Sequence, residues 1–189
     1  MIDYNKILKT IHKTDDISLV KDITNAVNVN QIRNKELLYD RLQTYLLMYE
    51  NPKISIGAGW HGLLAHMLDD FKNVESFDID PKCAELRLFS NVKYKTIDLN
   101  NHNPRHHNIL VCCSCEHMTD EEIKNWVKNK KEETVVILQS NDYFGIEDHI
   151  NCKENINHFV SSVTTAKNRV INTFEDKFDN YTRFSIVFL

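Results

Sequence analysis

The sequence predicts an α/β protein: a mostly parallel sheet covered by helices on both faces, with a helical extension ahead of it and an antiparallel hairpin at its end. Three observations carry that reading. Between residues 53 and 166, short β-rich runs alternate with segments of helical period. Three of the four glycines, Gly57, Gly59 and Gly62, fall together directly after the first of those runs. Two β-rich segments then close the chain, joined only by Asp179-Asn180. So short a connection permits a hairpin and excludes a parallel crossover.

Composition narrows the class. The 189 residues suffice for one domain with a real core. Hydrophobic residues at 42% and charged residues at 26% are ordinary for a globular chain and speak against wholesale disorder. A formal net charge of −4 disfavours nucleic acid as a partner, because such binding is driven by basic charge. No apolar run reaches the ~18 residues of a membrane span. The opening MIDYNKILKT lacks the apolar stretch of a signal peptide. Five cysteines, with Cys112, Cys113 and Cys115 packed together, do not form a secreted disulfide pattern, so a cytoplasmic location is expected.

The elements follow in order. Thr14 is placed to cap a helix with apolar Ile17, Val20, Ile23 and Val27, and a second helix runs from about Asn34 to Tyr49, ending at Asn51-Pro52. Residues 1–52 are therefore expected to form a helical lid or extension, and 53–189 the sheet domain. Lys53 to Ile56 is the first strand and residues 62–70 the helix after it. Val74 to Asp78 is the second strand; Pro81 opens a helix carrying Cys83, Leu86 and Leu88. Val92 to Ile97 is the third strand and Asn108 to Cys113, apolar enough to be central, the fourth. Thr119 caps a helix reaching Lys130, with Ile123, Trp126 and Val127 inward. Thr134 to Gln139 is the fifth strand, and a helix spans Asn155 to Ala166. The closing strands are Arg169 to Phe178 and Tyr181 to Leu189.

Ligands of open α/β sheets bind beyond the carboxyl ends of the strands. After the first strand comes Gly57-Ala58-Gly59-Trp60-His61-Gly62, a G-x-G-x-x-G between a strand and a helix. Glycine lets backbone approach a ligand, and the helix N-terminus offers free amides. After the second strand, Phe77-Asp78-Ile79-Asp80-Pro81 places Asp78 to accept from both hydroxyls of a ribose, with Asp80 as a cap for the helix at Pro81. After the third, Asp98 can accept from an adenine amino group while the amide of Leu99 reads a ring nitrogen. After the fourth stands Cys112-Cys113-Ser114-Cys115-Glu116-His117-Met118. After the fifth come Ser140-Asn141-Asp142-Tyr143-Phe144, then Glu147, His149 and Cys152.

Residues 53–189, through ISIGAGWHG, ESFDIDP, KTIDL, NILVCCSCEHM and the terminal hairpin, resemble class I S-adenosylmethionine-dependent methyltransferases. The resemblance implies a Rossmann-like seven-stranded sheet in the order 3-2-1-4-5-7-6. It implies S-adenosyl-L-methionine as cofactor, held by Gly57, Ala58, Gly59, Asp78, Ile79, Asp98 and Leu99, with Cys113 and Ser114 beside the adenosine and methionine. A nicotinamide dehydrogenase shares the glycine pattern, but the acid after the third strand and the closing hairpin favour the sulfonium cofactor.

Methyl transfer needs a nucleophile held close and collinear, and a base only if a proton must leave. Glu116 and His117 are the first base candidates and His149 the next; the alternative is that Glu116 and His117 only satisfy their loop. Trp60 either packs on the cofactor or fills the core, and His61 faces either ligand or solvent. Asn141, Tyr143 and Phe144 are candidates for an acceptor pocket, with Phe144 the one most suited to the core. No metal is expected, because the central cysteines lie mostly on an apolar strand. The absence of an Asn/Asp-Pro-Pro-Tyr-like run after the fourth strand disfavours amino methylation of DNA, and the basic run from Lys124 to Lys131 reads as a solvated face. The expected function is methyl transfer to N, O or S of a small molecule. The alternatives are a nicotianamine-synthase-like aminocarboxypropyl transfer from the same cofactor, suggested by FDIDPKCAELRL, and a non-catalytic nucleotide-binding module.

Overall fold

A computed structural model describes residues 4–86 and 92–189. Its strands are β1 (Ile54–Gly57), β2 (Val74–Asp78), β3 (Lys93–Thr96), β4 (Ile109–Cys112), β5 (Val135–Asn141), β6 (Val170–Lys177) and β7 (Thr182–Phe188). They form one sheet in the order β3-β2-β1-β4-β5-β7-β6. The first five pair in parallel, and β7 runs antiparallel to both β5 and β6. This is the order that the resemblance implies.

Alternation along the strands builds two cores. On one face, Ile54, Ile56, Ile109, Val111, Val135, Ile137 and Val187 pack against Leu38, Leu42 and Leu46 of α3 (Val29–Leu46) and Leu64 of α4 (Leu63–Met67). On the other, Leu110, Cys112, Val136, Leu138, Ile186 and Phe188 meet α6 (Asp120–Lys128) and α7 (Ile156–Val163). Every residue of β1, β4 and β5 is buried, as expected of central parallel strands. The α3 helix is thus a layer of the sheet's own core. Arg41 fixes it further, with a bidentate pair to Asp176 of β6 at 2.6 and 2.7 Å. A separate small cluster of Ile7, Ile23 and Leu63 seats α1 (Tyr4–Ile11) and α2 (Ile17–Ala26) against α4.

Several boundaries differ from the sequence reading. The cap of α2 is Asp16, whose carboxylate accepts from the Ser18 and Leu19 amides at 2.9 and 3.3 Å; Thr14 accepts only from the Asp16 amide. An N-cap must sit directly before the first helical residue, and Thr14 is two positions too early. The α3 helix begins at Val29 rather than near Asn34, because Asn28 caps it through the Gln31 amide at 2.9 Å. The helix after β1 is short, ending at Met67, and a turn from Leu68 to Phe71 leads into β2. β5 extends two residues further, to Asn141, because pairing with β7 continues through Ser140↔Phe184 and Asn141↔Arg183. Thr119 caps α6 as expected, in a reciprocal capping box with Glu122. The helix α5 (Pro81–Leu86) opens at Pro81, with Asp80 accepting from the Lys82 amide at 2.9 Å. Leu88, assigned to that helix from sequence, lies outside the described residues.

Candidate active site

The carboxyl end of the sheet gathers the residues the sequence singles out. After β1 the chain makes a tight loop in which Ala58 (φ 49°), Trp60 (φ 47°) and Gly62 (φ 79°) are all left-handed. For Ala58 and Trp60 this conformation costs on the order of 1–2 kcal/mol each. Asp78 holds the loop in place: one carboxylate oxygen accepts from the Trp60 amide at 2.9 Å and the other from the Asp80 amide at 3.2 Å. The Gly59 amide donates to the Phe77 carbonyl. Glycine loop and acid are therefore one unit, with lone pairs of the carboxylate left over.

The glycines also have an internal reason. A Cβ on Gly57 would lie 2.7 Å from the Phe77 ring, one on Gly59 2.1 Å from Ser76 Oγ, and one on Gly62 1.2 Å from Tyr94 Oη. What the backbone approaches at these three positions is the side chains of β2 and β3. His61, in the same loop, is buried; its Nε2 lies 2.6 Å from Asp22 Oδ2, tying the loop to α2.

Asp98 stands beside this unit, because β3 pairs with β2 and the Ile97 amide donates to the Asp78 carbonyl. Its carboxylate accepts from the Asn100 amide at 2.8 Å, capping a 3-10 turn that buries Leu99. Ile79, next to Asp78, has a side chain 69% exposed, an apolar surface facing outward next to a polar anchor. Cys113 is buried on the α3 face and its amide donates to the Gly57 carbonyl; Ser114 next to it is half-buried.

Beyond β4 and β5 lies a second group that the sequence reading only half saw. Along one face, the inward row of β5 changes from Val135 and Ile137 to Gln139 and Asn141, and that of β7 from Val187 to Ser185 and Arg183. All four polar residues are buried. Gln139 Nε2 donates to Asn34 Oδ1 and Ser185 Oγ, both at 3.1 Å. Glu116, 2% exposed, receives Arg183 at 2.8 Å and Asn141 Nδ2 at 2.7 Å on the same oxygen, Oε1. Its other oxygen, Oε2, is buried with no hydrogen-bond partner among the described residues. Burial opposes the Arg183 charge, but Glu116 and Tyr181 outweigh it and raise its pKa. Lys35 reaches the same region from α3, and burial pushes its ammonium down, with Arg183 adding to the effect. Asn34 and Lys35 share the buried stripe of Leu38, Leu42 and Tyr45. Polar residues in an apolar register were the available signal.

The loop after β5 folds back over this cluster. Lys153, buried, pairs with Asp120 and with Asn151 Oδ1, both at 2.7 Å, while its amide donates to the Asn141 carbonyl. Asn151 donates to the Met118 and Glu116 carbonyls. These bonds bring His149 to His117, with ring centroids 4.8 Å apart and edge to face. Cys152 donates to Asn141 Oδ1 and the Tyr143 carbonyl, and burial pushes its thiol up to about 11. Tyr143 is partly exposed and stacks on Tyr181 at 5.7 Å. Phe144, the acceptor-pocket candidate that the sequence makes most suited to the core, is 62% exposed. Its residue lies past the end of the extended β5, on the outside of the returning loop.

This is the fold of class I S-adenosylmethionine-dependent methyltransferases. No family model and no curated protein matches the sequence. Among solved structures, the chain is similar to the magnesium protoporphyrin IX methyltransferase of Synechocystis PCC 6803 with bound SAH. That match has a TM-score of 0.65 and 14% identity, covering 98% of this chain and 93% of that one. It is similar to MtNAS, a nicotianamine synthase, in complex with S-adenosylmethionine, with TM-score 0.62, 16% identity and 98% and 70% coverage. The N-methyltransferase NodS of Bradyrhizobium japonicum WM9 gives 0.61 and 14%, over 82% of this chain and 96% of that one. At these identities the likeness establishes the fold.

Proposed function

We propose that the chain binds S-adenosyl-L-methionine across the glycine loop and transfers its methyl group to a small-molecule acceptor held between the loops after β4 and β5. One observation carries the reading: Asp78 is bonded to the glycine loop at the Trp60 amide and flanked by Asp98, at the carboxyl edge of a 3-2-1-4-5-7-6 sheet. The residues fit the nucleotide. Asp78 keeps unused lone pairs for ribose hydroxyls, Asp98 and the Leu99 amide stand one strand over for adenine, and exposed Ile79 supplies an apolar cover. Gly57, Ala58 and Gly59, with the backbone of Cys113 and Ser114, would line the methionine portion. The cofactor supplies an activated methyl on a sulfonium centre.

The remaining work is the chain's own. His117 and His149 hold their rings by Nδ1–H donation to backbone carbonyls, which leaves Nε2 of each neutral ring as a proton acceptor. They are the groups suited to take a proton from an acceptor that carries one. Glu116, anchored by Arg183 and Asn141, contributes negative charge beside them. α1 and α2, linked to the glycine loop through Asp22 and His61, are placed to act as a lid that excludes water.

Calorimetric titration tests the cofactor. The expected outcome is micromolar-range binding of S-adenosylmethionine and none of NAD, with Asp78→Ala losing most of the affinity; equal binding by wild type and Asp78→Ala would remove the ribose assignment. The match to MtNAS covers 98% of this chain and favours a second reading, aminocarboxypropyl transfer from the same cofactor. Product analysis separates the two, since one leaves S-adenosylhomocysteine and the other methylthioadenosine.

A further inference from the structure

We propose that Glu116, His117 and His149 bind a divalent metal ion of the zinc, manganese, iron or cobalt kind at the acceptor end of the site. One ligand atom from each of the three residues lies within 4.8 Å of the other two. The hydrogen bonds around them leave one nitrogen of each ring and one carboxylate oxygen open. A backbone carbonyl only accepts, so the contacts from His117 Nδ1 to the Asp148 carbonyl and from His149 Nδ1 to the Tyr143 carbonyl, each 3.0 Å, place a proton on both Nδ1 atoms. In the neutral rings, both Nε2 atoms then carry lone pairs. Carbonyl acceptance of the distal N–H is the usual outer-shell arrangement of a metal-binding imidazole.

The carboxylate shows the same asymmetry. Arg183 and Asn141 both bond Oε1, while Oε2 is buried without a partner among the described residues. Leaving such an atom unmet costs about 1–3 kcal/mol or more for a charged group, so it calls for a ligand. The loops are locked together by the Asn151 amide on the Glu116 carbonyl and by Lys153 on Asp120. The site is thus built before anything enters it.

A second trio, Glu75, His102 and His107, is wired differently. Its ligand atoms are also within 4.8 Å of one another. There, Trp126 Nε1 donates to His102 Nδ1 at 2.9 Å, and an indole N–H can only donate. The proton of His102 therefore sits on Nε2, aimed at Glu75 Oε1 and Ser55 Oγ, both at 3.0 Å. His102 thus has no lone pair left for an ion. The same residue types serve a hydrogen-bonded core in one place and an open donor set in the other.

Two imidazoles and one carboxylate suit borderline ions better than magnesium or calcium, which prefer all-oxygen shells. Three protein ligands leave positions free for water or an acceptor oxygen. With an ion bound, the two rings no longer act as bases themselves; the ion lowers the pKa of the oxygen it holds. The link to methyl transfer rests on the function proposed above, whereas ion binding does not.

The test uses the full chain stripped with EDTA. Co2+ is titrated with visible absorption as readout, and Zn2+ by calorimetry. One ion per chain is expected, with His117→Ala and His149→Ala each weakening Zn2+ binding at least about tenfold and His107→Ala leaving it unchanged. Absence of stoichiometric binding by the wild type, or an equal loss in His107→Ala, overturns the site. S-adenosylmethionine is titrated into the same stripped protein, so the two readings fail separately: ion binding without cofactor binding upholds the metal site and removes only the cofactor.

Discussion

Arg183 and Glu116 are each almost wholly buried, and each is the other's charged partner at 2.8 Å. Removing one member strands the other's charge in a medium where solvation is poor. Arg183→Met should therefore destabilise the fold by about 3–5 kcal/mol in urea denaturation. Glu116→Gln, which keeps shape and one acceptor, should cost less. A smaller loss for Arg183→Met than for Glu116→Gln would show that the pair is not the constraint described here. At this scale the sequence was readable only where a residue follows a strand. Asp78 and Asp98 are singled out by position alone, because the ends of parallel strands share one edge. Lys35 and Arg183 were not, since each comes from an element whose interior reads as apolar: a helical stripe in one case, a strand row in the other. The Glu116 partner of Arg183 lies 67 residues away in sequence, and no local pattern encodes such a pairing.

The element that joins β1 to α4 bends sharply with little glycine to spare. Gly62 combines a φ of 79° with Tyr94 Oη at 1.2 Å from where a Cβ would stand. Gly62→Ala should thus destabilise the fold by more than the ~1 kcal/mol of left-handed strain alone, read as a lowered melting temperature, and Tyr94→Ala in the same chain should recover part of the loss. No recovery would place the penalty in the backbone only. The glycine triplet was legible as a bend, and its attribution to close approach was right in kind, but what the sequence could not show is that side chains of β2 and β3 occupy the approached space. The returning loop after β5 was less legible still. Its position depends on Lys153 and Asn151 reaching α6 and the loop after β4, bonds between segments more than 30 residues apart.

Across the whole molecule, chemistry is distributed between two ends of the sheet. At the edge opposite the glycine loop, Glu75 accepts from His102 and lies within 3.2 Å of His107, with Lys95 on its other oxygen. Bonds from His102 and then His107 hold its carboxyl well below the usual carboxylate range, against the opposing effect of burial. A lowered folded-state pKa gives stability that is present above the unfolded value, near 4.3, and is lost as pH falls below it. Acid unfolding of the wild type should begin in that window, and Glu75→Gln should flatten the slope there when stability is followed by circular dichroism from pH 7 to 3. An unchanged slope would assign acid sensitivity elsewhere. The parallel sheet and its closing hairpin were the most legible property of all, because alternation and a two-residue link before the last strand leave few ways to connect the strands; the strand order came from the resemblance to class I methyltransferases. The number of helices ahead of the sheet was less so: α3 belongs to the core layer, and only its packing against β1, β4 and β7 distinguishes it from a lid.

The chain has only two tryptophans, and the fold sends them to opposite tasks. Trp126 is sealed in the interior, its indole bonded to His102 and edge-on to Phe77, while Trp60 rides on the strained bend that Asp78 grips. Each is an optical label with its own address. Trp126→Phe would leave a single tryptophan on the bend, whose emission tests whether the proposed cofactor arrives there, whereas Trp60→Phe would leave one that responds to unfolding, so the two events can be watched separately without attaching a dye.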